Sequence, residues 1–489
     1  MIRPQRWRQA VLATAGLLML QASQTSLAQS RAEPRPNVII IMSDDQGYRD
    51  VGFNGSRDIP TPNIDRIANE GVRFTRGYVT APVCGPSRAG FLTGRYGARF
   101  GYDRNPNGDP TDPRGGIPIA EENMAEMLRR GGYATKAIGK WHMGTHPTLR
   151  PLARGFDEFY GFLEGGHDYM PENIEFEDIS DSRKPGDWYR AKLVDNGKRV
   201  TFDQYLTDEL SDRAVEYIGR KAQADRPFFL YLAYNAPHTP FQATDKYLSR
   251  FPGIKDPQRR TYAAMISAMD DGIGRVLAEL DKRGLAENTL VVFLSDNGGP
   301  LTRLTGDGSP VADNGNLRGG KSDLTEGGVR VPFALRWPAK VTGKRDYNRP
   351  ISSMDIFATL AGETGIKPRN SLDGVNLVPY LSGSRQGDPH DVLFWRKLGQ
   401  KQYVAMAGDM KLITSPKDKQ LYDLSTDVGE TRDLAEDRAA TVNELSSVTV
   451  KWNSQMAPKA AFPPLGTWPP KGYVKPTPAT DSGSEAQDQ

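Results

Sequence analysis

The 489-residue chain has a single cysteine, Cys84, and only five histidines. One thiol excludes an internal disulfide, so a chain of this length must be held by its apolar core. Five singly scattered histidines do not compose a multi-histidine metal centre. Long hydrophobic runs are also missing. Residues 10–20 form an apolar stretch too short for an ordinary membrane span. That stretch follows Arg3, Arg6 and Arg8 and precedes Ser26-Leu27-Ala28. This is the order of a secretory leader and predicts removal of residues 1–28. A periplasmic or secreted protein with no stable membrane insertion is then expected. No cysteine follows the apolar stretch, which excludes a lipoprotein anchor. Charge of one sign is scarce too: 63 Lys+Arg against 60 Asp+Glu give +3. The leader holds three of the arginines and no acid, so the remainder is formally neutral. That balance excludes a global attraction to nucleic acid or anionic membrane, and any anion site must be local.

Glycine and proline are plentiful, at 50 and 36, which points to long shaped loops around a sheet. Residues 38–42, 134–138, 228–234 and 289–295 are near-continuous apolar runs. Such runs suit strands covered on both faces. Helical patterns at 63–70, 121–130, 204–221 and 262–282 lie between and beside them. The alternation predicts an α/β fold with a largely parallel sheet flanked by helices. After residue 349, a helix at 355–361 and a short turn at 376–381 are expected. Strand-like runs at 392–395, 403–407, 410–413 and 420–424 then predict a smaller antiparallel sheet. The expected division is a catalytic domain over 34–348 and an α+β subdomain over 349–462. A Pro-rich disordered tail over 463–489 completes it.

Each central strand is followed by chemistry. Asp44 and Asp45 follow the first, Lys140 and His142 the second, His238 the third, and Asp296 and Asn297 the fourth. Ligands in open α/β sheets bind beyond the carboxyl ends of strands. Asp44, Asp45, Asp296 and Asn297 make an oxygen-only donor set, suited to Ca²⁺ or Mg²⁺. Pro86 favours a helix over 87–93, which places Cys84 near its N-terminus, where anions are favoured. Read alone, a lone cysteine is a small buried residue. If residues 140–142 are extended, Lys140 and His142 share a face. Lys321 follows Gly319-Gly320, a pattern that is no Walker loop. His146 and His390 read as structural.

Cys84-Gly85-Pro86-Ser87-Arg88, continuing to Thr93-Gly94-Arg95, resembles the signature of type I sulfatases. Further landmarks are similar to that family's. They are Asn37-Val38-Ile39-Ile40-Ile41 before the acid pair, Thr61-Pro62-Asn63-Ile64-Asp65, Gly139-Lys140-Trp141-His142, Ser295-Asp296-Asn297-Gly298 and Gln420-Leu421-Tyr422-Asp423-Leu424. The resemblance spans residues 35–469, is densest over 36–167, and points to the arylsulfatase A and N-acetylgalactosamine-6-sulfatase branch.

The resemblance implies an alkaline-phosphatase-like fold and hydrolysis of sulfate monoesters on sulfated carbohydrate, such as a galactan or a glycosaminoglycan. It implies that Cys84 is oxidised to formylglycine (3-oxoalanine) by a formylglycine-generating or anaerobic sulfatase-maturating enzyme. The aldehyde hydrate then attacks sulfur and joins Asp44, Asp45, Asp296 and Asn297 around one Ca²⁺. Arg88 stabilises the hydrate, and Lys140 and Lys321 bind sulfate. His238, with Lys321, protonates the leaving alcohol, and His142 helps the second hydroxyl expel sulfate. These roles fit an ester whose leaving oxygen gains charge as the S–O bond breaks. One position departs from the pattern: Gly166 stands where some relatives have a sulfate-contacting serine. The adjacent His167 and Asp168 are assigned to sugar recognition, against a purely structural loop pair. The rival readings are a phosphonate or phosphate monoester hydrolase with the same nucleophile, and an inactive calcium-dependent glycan-binding protein.

Overall fold

Val38, Ile40 and Met42 pack into one apolar cluster, and Ile39 and Ile41 into another. Alternate residues of one strand thus feed two cores, as a strand covered on both faces requires. In the computed structural model, which describes residues 35–463 apart from 185, 223, 225 and 342, this strand runs over Asn37–Ser43. The expected leader 1–28 and the tail from 464 onward lie outside the described residues. Among the described residues, no helix is long and apolar enough to cross a membrane.

The main sheet has ten strands. Their spatial order is Arg345–Tyr347, Val72–Phe74, Phe333–Arg336, Thr289–Ser295, Asn37–Ser43, Phe228–Ala233, Ala134–Lys140, Glu158–Phe162, Leu193–Asp195 and Lys198–Val200. The five strands from Thr289–Ser295 to Glu158–Phe162 are mutually parallel. Phe333–Arg336 and Leu193–Asp195 pair antiparallel on either side of that block, so the sheet is mixed but largely parallel. Helices Pro62–Asn69, Leu206–Lys221 and Pro257–Lys282 cover one face. Cys84–Thr93, Met124–Arg130 and Asp355–Thr364 cover the other.

Leu393–Lys397, Gln402–Ala407, Met410–Thr414 and Lys419–Asp423 form the expected antiparallel sheet. Its Trp395, Val404, Met406 and Ile413 continue the core that begins at Val38. Ala405, Leu412 and Leu421 face Val442 and Leu445 of helix Ala439–Asn453, which the sequence reading did not anticipate. A buried polar joint adds to the apolar one. Lys411 Nζ lies 2.8 Å from Glu326 Oε1 and 3.0 Å from Glu430 Oε1, with all three side chains fully enclosed.

His390 is structural, as its isolation in the sequence suggested. Its Nε2 donates to Asp355 Oδ1 at 2.8 Å. Asp355 also accepts from the Ser352 and Val375 amides, so the ion pair sits on a helix start that organises its surroundings. Burial acts to lower the imidazole, but the Asp355 carboxylate outweighs it and holds His390 above its ordinary 6.5. A raised folded-state pKa gives stability that is fully present below the unfolded value and is lost as pH rises through the folded one. Urea unfolding should therefore show His390→Gln costing more at about pH 6 than at about pH 9. Equal losses at the two pH values would contradict the pairing.

Candidate active site

The register aligns the strand ends. Ser43 lies opposite Ser295, while Met42 and Gly139 both lie opposite Ala233. Backbone bonds carry the alignment one step further. The Asp296 amide donates to the Ser43 carbonyl at 3.1 Å, and the Asp44 amide to that of Ala236 at 3.1 Å. The polar residues that follow the strands therefore emerge at one edge. Asp45 adopts the left-handed region, with φ 66°, which aspartate tolerates better than most residues. That turn brings its carboxylate back beside its neighbour's. Asp44, Asp45, Asp296 and Cys84 each place a ligand atom within 4.8 Å of the others. A Cβ on Gly298 would lie 1.7 Å from the Gly327 carbonyl oxygen, so only glycine lets the Asp296-Asn297 loop press against 327–328.

Asn297 Nδ2 donates to Asp45 Oδ1 at 2.8 Å, yet its Oδ1 is buried without a partner. An orphaned amide oxygen beside three carboxylates is a donor set lacking its acceptor. A hard divalent cation fits it. The residues that would hold such an ion are those named from the sequence.

Three cations stand against the acids. Lys140 Nζ lies 2.5 Å from Asp44 Oδ2, and Lys321 Nζ 2.7 Å from Asp45 Oδ2. Arg88 Nη2 lies 2.8 Å from Asp296 Oδ2, and its Nη1 donates to the Lys140 carbonyl and the Tyr231 hydroxyl at 3.3 Å. Burial and the Asp296 charge hold Asp44 up at about 7 despite Lys140 and Arg88. Burial acts the same way on Asp45, but Lys321, His238 and Lys140 outweigh it and keep it below the usual carboxylate range. Burial and Asp296 push the Cys84 thiol upward, so the unmodified side chain keeps its proton.

Cys84 is the first residue of helix Cys84–Thr93, three positions earlier than the helix expected from Pro86. The Gly85 amide donates to Asn105 Oδ1 at 2.8 Å, which helps this early start. Cys84 thereby stands at the helix's positive end.

The two catalytic candidates among the histidines are held differently. His238 Nδ1 donates to the Thr239 carbonyl at 2.7 Å, leaving Nε2 3.7 Å from Asp45 Oδ2. Burial pushes its imidazole down to about 3, with Asp45 opposing. Both His142 ring nitrogens are buried without a hydrogen-bond partner among the described residues. Burial, then Lys140 and Arg88, drive His142 well below its ordinary value. The extended arrangement expected for residues 140–142 is corrected here. The strand stops at Lys140, and His142 has φ 57°. Trp141 does leave by the other side, its Nε1 donating to the Leu149 carbonyl at 3.0 Å.

His167 and Asp168, expected to serve sugar recognition or to form a structural loop pair, both bond to neighbouring loops. His167 Nδ1 lies 2.6 Å from the Asp168 carbonyl and Nε2 2.8 Å from that of Ala191, and the ring packs against Phe162 and Phe202. Asp168 Oδ1 accepts from the Met170 amide and Asn173, and its Oδ2 from Gln242. These contacts are the ones the structural alternative calls for. Tyr231 and Asn105 were not anticipated. Tyr231 sits within an apolar run, and only its place on the face shared with Phe229 and Ala233 hints at contact with the Cys84 helix.

An enclosed cluster of acids and cations around a residue at a helix N-terminus is an arrangement suited to hydrolysing anionic esters. The chain belongs to the sulfatase family, whose model matches residues 36–366, and is a sulfuric ester hydrolase with the family's alkaline-phosphatase-like fold. It is 35% identical over 402 residues to N-acetylgalactosamine-6-sulfatase of Homo sapiens, covering 79% of this chain and 72% of that protein. It is 34% identical over 420 residues to the uncharacterized sulfatase YdeN of Escherichia coli (strain K12), covering 77% and 72%. The crystal structure of Ps i-CgsB in complex with k-i-k-neocarrahexaose superposes with a TM-score of 0.81 at 37% identity, covering 88% of this chain and 95% of that one.

Proposed function

We propose that the chain removes sulfate from a sulfated polysaccharide or oligosaccharide in the periplasm or outside the cell, using formylglycine made from Cys84 and one bound Ca²⁺. The observation that carries this reading is the convergence of Arg88, Lys140 and Lys321 on the acid cluster that contains Cys84. Maturation by a formylglycine-generating or anaerobic sulfatase-maturating enzyme is part of the proposal. An aldehyde hydrate at residue 84 supplies two hydroxyls, one to attack sulfur and one whose deprotonation expels the sulfate. Calcium held by Asp44, Asp45, Asp296 and Asn297 supplies positive charge beside the reacting group.

The remaining work falls to side chains. Lys140 and Lys321 hold the sulfate oxygens, and Arg88 fixes residue 84 and balances Asp296. At the leaving oxygen, His238 with Lys321 supplies the proton. The incoming anion favours the imidazolium that burial alone disfavours. His142, neutral and with both ring nitrogens free of protein partners, accepts the proton of the second hydroxyl.

A saccharide substrate is supported by the relatives, and a cleft of about 450 Å³, lined by none of the cluster's own residues, lies beside their chain neighbours. Its walls include Val83, Pro86 and Ser322, chain neighbours of Cys84 and Lys321. Arg104, Trp395 and Lys397 also line it, a mixture suited to anionic sugar rings. We take 34–348 as the catalytic domain and 349–462 as the subdomain that supplies the cleft's far wall.

Cys84→Ala is expected to cut free-sulfate release from sulfated saccharides by about a thousandfold or more while the thermal midpoint holds. Unchanged turnover would overturn the mechanism. Phosphonate esters turned over as well as sulfate esters would overturn the substrate class. Calcium at a hundred times its Kd should stabilise metal-stripped protein by about 2.7 kcal/mol, read as a raised Tm. Asn297→Ala should shrink that rise, and an identical rise in the variant would remove Asn297 from the site.

A further inference from the structure

Gly165 and Gly166 pass between two rings. A side chain on Gly165 would come within 2.9 Å of the His142 ring. One on Gly166 would come within 2.8 Å of Tyr189 Cζ and 2.9 Å of its hydroxyl. Gly166 is outside the left-handed region, so its backbone tolerates any residue. The three atoms nearest such a side chain all belong to the Tyr189 ring and its hydroxyl.

Tyr189 lies in the turn Asp187–Arg190. Its backbone is fixed from both sides: its amide donates to Gly186 at 3.1 Å, and its carbonyl accepts from the Asp168 amide at 2.9 Å. The latter bond ties Tyr189 to the loop that carries Asp168. The ring meets that of His238 edge-on, with centroids 6.3 Å apart and planes at 71°. Its hydroxyl makes no hydrogen bond among the described residues. Burial raises it above its ordinary value, and it also feels Lys321, Asp44, Cys84 and Asp45. A half-buried donor without a hydrogen-bond partner among the described residues thus lies against the His238 ring, beside the glycine pair that passes His142.

We propose that Tyr189 is a substrate-contacting residue whose hydroxyl donates to a sulfate oxygen of the bound ester, in the space that a side chain at position 166 would otherwise fill. This rests on the sulfatase reading above. A sulfate ester offers only acceptors, so a neutral phenol donor adds a hydrogen bond without adding charge to an already balanced cluster. Position 166 and position 189 are then alternatives: a polar side chain can come from one or the other, not both.

The test uses full-length matured enzyme with carrageenan and glycosaminoglycan oligosaccharides, reading free sulfate to obtain kcat and KM. Tyr189→Phe should lower kcat/KM by about tenfold to a hundredfold, the scale of one hydrogen bond to a charged group, at unchanged Tm. Gly166→Ser alone should also lose activity, because its hydroxyl meets the Tyr189 ring. Gly166→Ser placed on Tyr189→Ala should regain at least about tenfold over Tyr189→Ala, a sign reversal that a merely structural tyrosine would not produce. Wild-type sulfate release with Tyr189→Phe within about twofold of it would overturn the contact and leave the sulfatase reading intact. Failure of the double variant to improve on Tyr189→Ala would overturn the exchange between the two positions. Absence of sulfate release from matured wild type would overturn both together.

Discussion

Carboxylates taken out of water must meet positive charge, and Asp44, Asp45 and Asp296 meet it at one place. Each has a cation within 2.8 Å, and the partners come from three separate parts of the chain: Lys140 from a strand end, Lys321 from a glycine-rich loop, Arg88 from a helix. Removing any one cation leaves a buried charge uncompensated, which typically costs several kcal/mol. The parallel sheet exists in this light as an aligning device. It delivers the acids, one lysine and two histidines to a single edge, and the Cys84 helix lies across that edge with its positive end inward.

The cluster also stores strain. Among non-glycine residues in the left-handed region, Asp45, His142 and Ser322 all lie at or beside the site. Such conformations persist only where surrounding contacts impose them. The C-terminal sheet supplies some of those contacts at a distance. Lys411 grips Glu326, and the segment around Glu326 lies backbone to backbone against Gly298 and the loop that carries Lys321. Buried ion pairs of this kind specify an arrangement more than they add stability. Here the arrangement specified includes the position of Lys321, which pairs with Asp45.

Much of this was legible in the sequence. The four central strands appeared as apolar runs because both their faces are covered, and the residues after them appeared as the site because strand ends in such sheets face the ligand. Legibility failed where tertiary contact, not local pattern, decides. His142 reaches the site through a left-handed turn that no periodicity encodes. The short strands Val72–Phe74, Leu193–Asp195 and Arg345–Tyr347 carry too few residues to show alternation. His167 and Asp168 drew attention through the family resemblance, and their bonds to carbonyls and amides of neighbouring loops could not be read from it. Tyr189, twenty-odd residues further along, had no motif to mark it. Its significance comes from the empty Cβ position at Gly166.

The unmodified Cys84 thiol is poorly suited to act as a nucleophile. Burial and Asp296 keep the unmodified side chain protonated, while Arg88, Lys140 and Lys321 pair with the acids around it. An aldehyde hydrate at the same position carries the nucleophile and the means of releasing the product in one group. The most direct test is mass spectrometry of the residue-84 peptide from enzyme that releases sulfate. Formylglycine at that position is the predicted result. A peptide carrying only an unmodified cysteine, from enzyme with full activity, would contradict the account.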